Sequence, residues 1–193
     1  MIETIRKLVE AYGPSGHEDQ IRELILAEID GLADEVSVDP MGSVIAWKRS
    51  GRPDAPRVML SAHMDEIGIM VTHVDKDGFL RFTNIGGLFA NTLHGNRVRF
   101  ADGTTGAIGV DAEVEPTAAP RLEQLFVDVS GDGAHGIRVG DAAGLARELV
   151  VRGNRLTAKS LDDRIGCAVE IEVMRRLKRT PNEVAFVFSV QEE

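Results

Sequence analysis

The chain has 193 residues and is 43% hydrophobic but only 5% aromatic, so it can bury a sizeable, mostly aliphatic core. A formal charge of −9 with no basic cluster to offset it argues against nucleic acid or an anionic membrane as a partner. No apolar stretch approaches the ~20 residues of a membrane helix, and the N-terminus does not resemble a signal peptide. Cys167, the single cysteine, lies in an apolar helical run and is expected to be a core thiol. The sequence therefore predicts a soluble, cytoplasmic protein.

Two helices are predicted near the N-terminus. Apolar residues recur at helical spacing over 2–9 and again over 21–32. The sequence G-P-S-G at 13–16 separates the two helices. Ser15 and Glu18 have the spacing of a capping box, so we expect the Ser15 side chain to cap the second helix.

Three strands are predicted to follow these helices. V-S-V at 36–38 and S-V-I-A-W at 43–47 flank the turn signal D-P-M-G at 39–42, which is typical of a hairpin. R-V-M-L-S-A at 57–62 is a compact apolar run, and we expect it to be a strand of the buried kind. Helices and strands in this order indicate an α/β layer structure.

The pattern changes after about residue 70, where short strand-like segments alternate with glycine-containing turns. These segments are I-M-V-T-H-V, F-L-R-F-T, R-V-R-F, G-A-I-G-V and L-F-V-D-V. Short strands at such spacing, with no helical pattern between them, predict a small β-barrel.

The α/β pattern returns at about Leu149, with a helix predicted over 164–177 and a strand over 184–190. The economical interpretation is one α/β domain interrupted by a β-rich insertion. We place the bounds of this arrangement at 1–69, 70–152 and 153–193.

His63 and Asp65 lie two residues apart at the end of a predicted strand, so their side chains project to the same side. A metal-bound histidine usually donates its other N–H to a carboxylate, which fixes its tautomer. His63 is therefore the candidate ligand and Asp65 the residue that orients it. The remaining histidines lie in loop or insertion contexts and are not expected to bind metal: His17, His73, His94 and His135.

Two pairs of adjacent carboxylates complete the candidate site. Asp162 and Asp163 precede a helix, where one aspartate can cap the helix while the other serves a metal. We assign Asp162 as a ligand shared by two metals, and Asp163 either as the cap or as a residue that supports a metal ligand. Glu192 and Glu193 follow a predicted strand, and such a pair can supply one ligand and one general base.

The combination of motifs resembles the cytosolic dinuclear metallo-aminopeptidases that include the glutamyl, deblocking and tetrahedral aminopeptidases, some of them labelled cellulase M or endoglucanase. The matching stretches run in the family's order over essentially the whole chain. They are G-P-S-G-H-E (13–18), A-H-M-D-E-I-G-I-M-V (62–71), G-N-R-V (95–98), L-F-V-D-V (125–129), V-G-D (139–141), L-D-D-R-I-G (161–166) and V-Q-E-E (190–193).

The resemblance implies an α/β/α sandwich of the zinc-peptidase type, incomplete here, with an inserted β-barrel. It implies an aminopeptidase in which His63 binds one metal, Glu193 binds the other and Asp162 bridges both. Glu192 would be the general base, and Asp65 would orient His63. The Asp162–Asp163 peptide bond is expected to be cis. Two divalent ions are implied, with zinc as the default and cobalt or manganese as alternatives.

The sequence also departs from the family pattern. The family uses an aspartate about twenty residues past the glutamate pair and a histidine near its C-terminus, and these 193 residues contain neither. The segment 86–94 replaces one that typically carries a Trp-Asp pair, and an acidic run is lacking after 125–129. We therefore expect this chain to be an N-terminal part of such a protein and to be inactive alone. By resemblance, the complete protein is expected to act on peptides and to form homo-oligomers, from dimers to dodecamers.

Two alternatives to an aminopeptidase stay open. One is another hydrolase with two metals, such as a carboxypeptidase or an N-acyl amino-acid deacylase. That class usually places its extra domain after the glutamate pair, whereas the insertion here lies between His63 and Asp162. The other alternative is a non-catalytic truncated subunit or interaction module.

Overall fold

The computed structural model describes residues 1–115, 117–129 and 136–193 of the chain, so His135 lies outside the described residues. These residues divide into two compact units. The α/β unit comprises Met1–Asp65 and Glu148–Glu192, and the barrel unit comprises Glu66–Arg147 together with the single residue Glu193. This mixed α/β architecture with a closed barrel confirms the predicted fold class.

The helices and strands, in chain order, are α1 (Ile2–Glu10), α2 (Asp19–Ile29), β1 (Glu35–Val38), β2 (Val44–Lys48), β3 (Arg57–His63), β4 (Gly68–Val74), β5 (Leu80–Ile85), β6 (Arg97–Phe100), β7 (Thr105–Val110), β8 (Leu125–Asp128), β9 (Ala142–Leu145), β10 (Val150–Arg152), β11 (Arg155–Thr157), α3 (Leu161–Arg176) and β12 (Glu183–Ser189). Strands β4 to β9 belong to the barrel unit, and the elements before and after them belong to the α/β unit. None of the helices in the described part of the chain has the length and apolar character that crossing a bilayer requires.

The main sheet of the α/β unit has the strand order β1-β2-β12-β3. β1 and β2 form the predicted hairpin, and one carboxylate oxygen of Asp39 accepts the backbone N–H groups of Met41, Gly42 and Ser43 in its turn. β12 is antiparallel to β2 and parallel to β3, so it lies inside the sheet. A short second ladder pairs β10 with β11.

The three helices of the α/β unit share one core with the sheet. Ile5, Leu8 and Val9 recur on one face of α1 and are buried, as the helical periodicity predicts. They pack in the same core as Phe186 and Phe188 of β12. Neighbours on a strand alternate between faces, so Val187 belongs to the opposite face of the sheet, where it is only half-buried. One face of this sheet is therefore far better covered than the other.

Two local predictions for the α/β unit were wrong. β3 is not a buried strand: its residues are exposed as far as Ser61, and Met59 is 69% exposed. Among the described residues β3 pairs only with β12, so it is an edge strand, and apolar composition does not distinguish edge strands from central ones. Ser15 does not cap α2, because that helix begins at Asp19 after Glu18 and has no side-chain cap.

The barrel unit is a closed barrel with the strand order β4-β5-β8-β7-β6-β9 within the described residues. Its interior is aliphatic and aromatic, with Ile69, Leu80, Val98 and Val127 almost fully buried. The sequence pattern predicts β4 to β8 but not β9, which closes the barrel by pairing with β4 and β6. The β9 sequence, A-A-G-L, lacks β-branched and aromatic residues, so its strand signal is weak.

One glycine of the barrel is required by the close approach of an aromatic ring. Gly109 of β7 lies opposite Phe126 of β8, and a Cβ atom at Gly109 would stand 2.4 Å from Cζ of that ring. The Phe126 ring also lies below the guanidinium of Arg81, which pairs with Asp111. This packing accounts for the second glycine of the G-A-I-G-V segment.

Glu170 of α3 is buried, and its surroundings disfavour the ionised form of its carboxyl group. Burial, and to a lesser degree the charge of Asp163, raise the pKa of Glu170 to about 8, against a partial opposing effect of the Val187 backbone. Its folded-state pKa lies above its unfolded value, so the folded state binds more protons between these two values. Its contribution to stability is therefore fully present below the unfolded pKa and is lost as the pH rises through 8.

We predict that Glu170→Gln changes stability little near pH 4 and raises it progressively towards pH 9. A gain of at least ~1 kcal/mol at pH 9 would appear as a rise of roughly 2–4 °C in Tm for a chain of this size. The measurement is thermal unfolding followed by circular dichroism, without metal, across this pH range. Glu172→Gln is the matched control, because Glu172 lies on the same helix and has its pKa lowered by Arg176. If Tm changed with pH in the same way in wild type and in Glu170→Gln, the raised pKa of Glu170 would be contradicted.

Candidate metal centre

The end of β3 and the end of β12 lie side by side because the two strands are parallel and in register. His63 is the partner of Ser189, and the N–H of Met64 donates to the Ser189 carbonyl at 2.8 Å. β12 stops at Ser189, and Gln191 then adopts a left-handed conformation with φ of 56°. The chain therefore turns immediately before Glu192, which follows the strand as predicted.

His63 is 8% exposed and lies between two carboxylates. Its Nδ1 atom is 3.3 Å from Oδ1 of Asp65, and its Nε2 atom is 3.3 Å from Oδ1 of Asp162. Asp65 is fully buried, and its other oxygen accepts the N–H of Glu192 at 3.0 Å. One buried carboxylate thus contacts the histidine ring and also anchors the backbone of a candidate catalytic residue.

The two adjacent aspartates have different surroundings. Asp162 and Asp163 have non-helical backbone angles at the start of α3, and the peptide bond between them is cis, as the resemblance implied. Oδ1 of Asp163 accepts the N–H of Gly166 at 3.1 Å, which is a capping contact. The Asp162 side chain is 91% exposed, yet it lies beside Nε2 of His63. Asp163 therefore caps the helix while Asp162 stays available to a ligand.

Glu192 lies beside the same ring nitrogen of His63 as Asp162 does. Oε2 of Glu192 is 3.8 Å from Nε2 of His63, and the Glu192 side chain is 63% exposed. Among the described residues, one donor atom from each of His63, Glu192 and Glu193 lies within 4.8 Å of the others. This group has the donor types and the spacing of a metal-binding cluster.

Negative charge dominates the surroundings of the His63 ring. Burial alone would lower the pKa of His63, but the nearby carboxylates of Asp65, Asp162 and Glu192 together raise it above its ordinary value. A ring nitrogen surrounded by carboxylate oxygens suits a divalent cation, which would balance this charge. The donor set therefore fits the metal that the sequence implied.

Glu18 supports the backbone next to the candidate metal centre, whereas the sequence pattern placed it in the cap of the second helix. It is buried, and its Oε1 atom accepts the N–H of Gly16 at 2.7 Å and the N–H of Gln191 at 3.2 Å. The second contact holds the turn that precedes Glu192. The position of Glu18 three residues after Ser15 suggested a helix cap, and no local pattern indicated a bond to a residue so distant in sequence.

Cys167 is a core thiol, as predicted from the sequence. It is fully buried, and its Sγ atom lies 3.3 Å from the carbonyl oxygen of His63, to which the thiol donates. Burial raises the pKa of the Cys167 thiol far above its ordinary value, so it stays protonated.

Residues 42–193 match the family model for M42 glutamyl aminopeptidases. The chain belongs to the M42 family. The lysyl aminopeptidase of Pyrococcus furiosus is 34% identical over 207 residues, which cover 99% of this chain and 59% of that protein. The M42 chain therefore spans about three fifths of the length of this curated relative.

Solved structures agree with this assignment. An aminopeptidase from the archaeon Desulfurococcus kamchatkensis superposes with a TM-score of 0.91 at 37% identity, covering 99% of this chain and 56% of that one. The TET1 peptidase of Pyrococcus horikoshii, which can assemble into a tetrahedron or a large octahedral shell, has a TM-score of 0.87 at 29% identity and covers 99% and 61%. The fold of the M42 chain is thus shared with peptidases along nearly its whole length.

We predict that Cys167 reacts slowly with a thiol reagent such as Ellman's reagent while the chain is folded. The reaction should be at least ~100-fold slower than in urea, because the thiol is buried and protonated. Stopped-flow absorbance with and without denaturant measures both rates. A native rate close to the denatured rate would show that Cys167 is accessible and that its contact with the His63 carbonyl is not maintained.

Proposed function

We propose that this chain is part of a metal-dependent aminopeptidase that removes N-terminal residues from peptides. The supporting observation is the placement of His63 between Asp65 and Asp162, with Glu192 beside the same ring nitrogen. M42 membership favours this function over a carboxypeptidase or deacylase. The relatives are longer than this chain, so the activity is proposed for a polypeptide that contains the chain together with the remaining length of those relatives.

The proposed metal ligands are His63, Asp162 and Glu193, with Asp162 shared between two divalent ions. Zinc is our first choice, and cobalt and manganese suit the same imidazole and carboxylate donors. When bound, such ions activate water as a nucleophile and polarise the scissile carbonyl.

Glu192 is proposed as the general base. Its exposed carboxylate can be reached by water and by a peptide, and it can take a proton from the attacking water and pass it to the leaving amine. The contact of the Glu192 N–H with buried Asp65 holds the backbone in place during this transfer. Asp65 also faces Nδ1 of His63, so it orients the ring with Nε2 towards the carboxylates.

Three broader features belong to the same proposal. The barrel is a discrete domain, residues 70–152, inserted into the catalytic domain. The catalytic domain consists of residues 1–69 and 153–193. The complete protein is a homo-oligomer between a dimer and a dodecamer, which the shell-forming TET1 peptidase supports. It acts on peptides in the cytoplasm.

We predict different effects for the two glutamates in a polypeptide that carries the remaining length. Glu192→Gln should abolish turnover with metal content nearly intact, because it removes a base and not a ligand. Glu193→Gln should lose metal. Hydrolysis of aminoacyl chromogenic substrates and elemental analysis of the purified protein measure the two properties.

Glu123→Gln serves as the control, because Glu123 is exposed in the barrel unit and should change neither property. Equal metal loss in both variants would show that the roles of Glu192 and Glu193 are wrongly assigned. Full-length protein with bound metal that releases no N-terminal residue from any peptide would favour the non-catalytic alternative.

A further inference from the structure

Arg164 is the largest side chain that the fold buries completely, and it lies two residues after Asp162. Its Nε atom donates to the carbonyl of Met64 at 2.9 Å, and Nη1 donates to the carbonyls of Leu8 and Ala11 at 2.9 and 2.6 Å. Nη2 donates to the carbonyl of Gly13 at 3.2 Å. A buried guanidinium is tolerated only when its donors are satisfied, and backbone carbonyls satisfy them here.

These acceptors come from two distant segments of the α/β unit. Leu8 and Ala11 lie at the C-terminal end of α1, where a cation is favoured by the helix dipole and by free carbonyl groups. Met64 lies between His63 and Asp65, directly after β3. A single side chain at the start of α3 therefore fixes both the end of α1 and the exit of β3.

The space around the guanidinium shows that this arrangement is close-fitting. A Cβ atom at Gly13 would lie 2.9 Å from Nη2 of Arg164 and 2.5 Å from Cγ2 of Ile21. Glycine is therefore required at position 13 by the close approach of both Ile21 and Arg164. This accounts for the first glycine of the G-P-S-G segment, which the sequence analysis treated only as a helix breaker.

α3 holds the residues around His63 through two bonds of different strength. Arg164 binds the carbonyl of Met64, and the thiol of Cys167, one turn later, donates to the carbonyl of His63. The charged donor is the stronger of the two. Because Asp162 precedes Arg164 on the same element, these bonds fix the separation between Asp162 and His63, which are 99 residues apart in sequence.

We infer that Arg164 is a positioning residue of the metal centre: through the Met64 carbonyl it holds His63 and Asp65 in register with Asp162. This inference rests on the proposed function, since it assigns a role in metal affinity. Arg164 contacts neither metal nor substrate. Groups that orient metal ligands typically change affinity by about 10- to 100-fold when they are removed.

The test is a titration with cobalt(II) of a polypeptide that contains this chain and the remaining length of its relatives, followed by visible d–d absorption and by calorimetry. Arg164→Met keeps the volume of the side chain and removes its donors. We expect its cobalt(II) affinity to fall about 10- to 100-fold and its absorption spectrum to change shape. The spectrum reports ligand geometry, which a loss of stability alone does not alter in molecules that remain folded.

Arg175→Met is the matched control. Arg175 lies on the same helix and joins it to α1 and α2 through Thr4 and Glu28. Its loss should also lower Tm, but the affinity and spectrum of folded protein should stay those of wild type. Arg164→Lys keeps a charge and part of the hydrogen bonding, so it should recover some of the affinity lost in Arg164→Met.

Gly13→Ala covers the case in which Arg164→Met fails to fold. It keeps the donors of Arg164, but its Cβ atom would crowd Nη2 of Arg164 and Cγ2 of Ile21. We therefore expect a displaced guanidinium, weaker cobalt(II) binding and an altered spectrum. Wild-type affinity and spectrum in folded Arg164→Met, or in Gly13→Ala if the first variant does not fold, would overturn the inference alone. Absence of cobalt(II) binding in wild type, or undiminished binding in Asp162→Asn, would instead overturn the proposed function and this inference with it.

Discussion

The parallel pairing of β3 with β12 is the constraint on which the candidate site depends. The two strands are distant in sequence, yet their register places His63 beside Ser189 at the same edge of the sheet. A shift of one residue would turn the His63 side chain to the opposite face and away from the chain that follows β12. The Met64 bond to the Ser189 carbonyl and the packing of Phe186 and Phe188 into the core hold this register.

Around this register, neighbouring residues divide structural and chemical roles. Asp163 caps α3 while Asp162 faces the histidine, and Asp65 is wholly buried while Glu192, which it anchors, is open to solvent. The less exposed member of each pair fixes geometry, and the exposed member is accessible to a ligand. Such an arrangement keeps the reacting groups in position before any ligand arrives.

Sequence reasoning succeeded where the signal was local and failed where it was not. The spacing of His63 and Asp65, the caps at Asp163 and the β1–β2 hairpin follow from neighbours in the chain. The meeting of His63 with Asp162 was inferred from the donor types of the two motifs taken together and from the resemblance to a family, and not from any local pattern. The edge position of β3 depends on which strands pair with it, and apolar composition carries no information about that. β9 was not predicted because its small residues have little intrinsic preference for a strand. They form one because they pair with β4 and β6.

Glu18 and Arg164 show the same limit for single side chains. Both lie in motifs that were recognised, but their partners are Gln191 and the carbonyls of Leu8 and Met64, all far away in the sequence. A charged residue in a motif offers several local explanations, such as a cap or a helix-end charge. Only the fold identifies which distant backbone groups it binds.

The metal centre is tested most directly by crystallography of a polypeptide that contains this chain and the remaining length of its relatives, soaked with cobalt(II) or zinc, with anomalous data collected at the metal's absorption edge. We expect an anomalous peak within ligand distance, ~2.0–2.2 Å, of Nε2 of His63 and of the Asp162 carboxylate. No peak there, or peaks only at other acidic residues, would contradict the proposed metal centre.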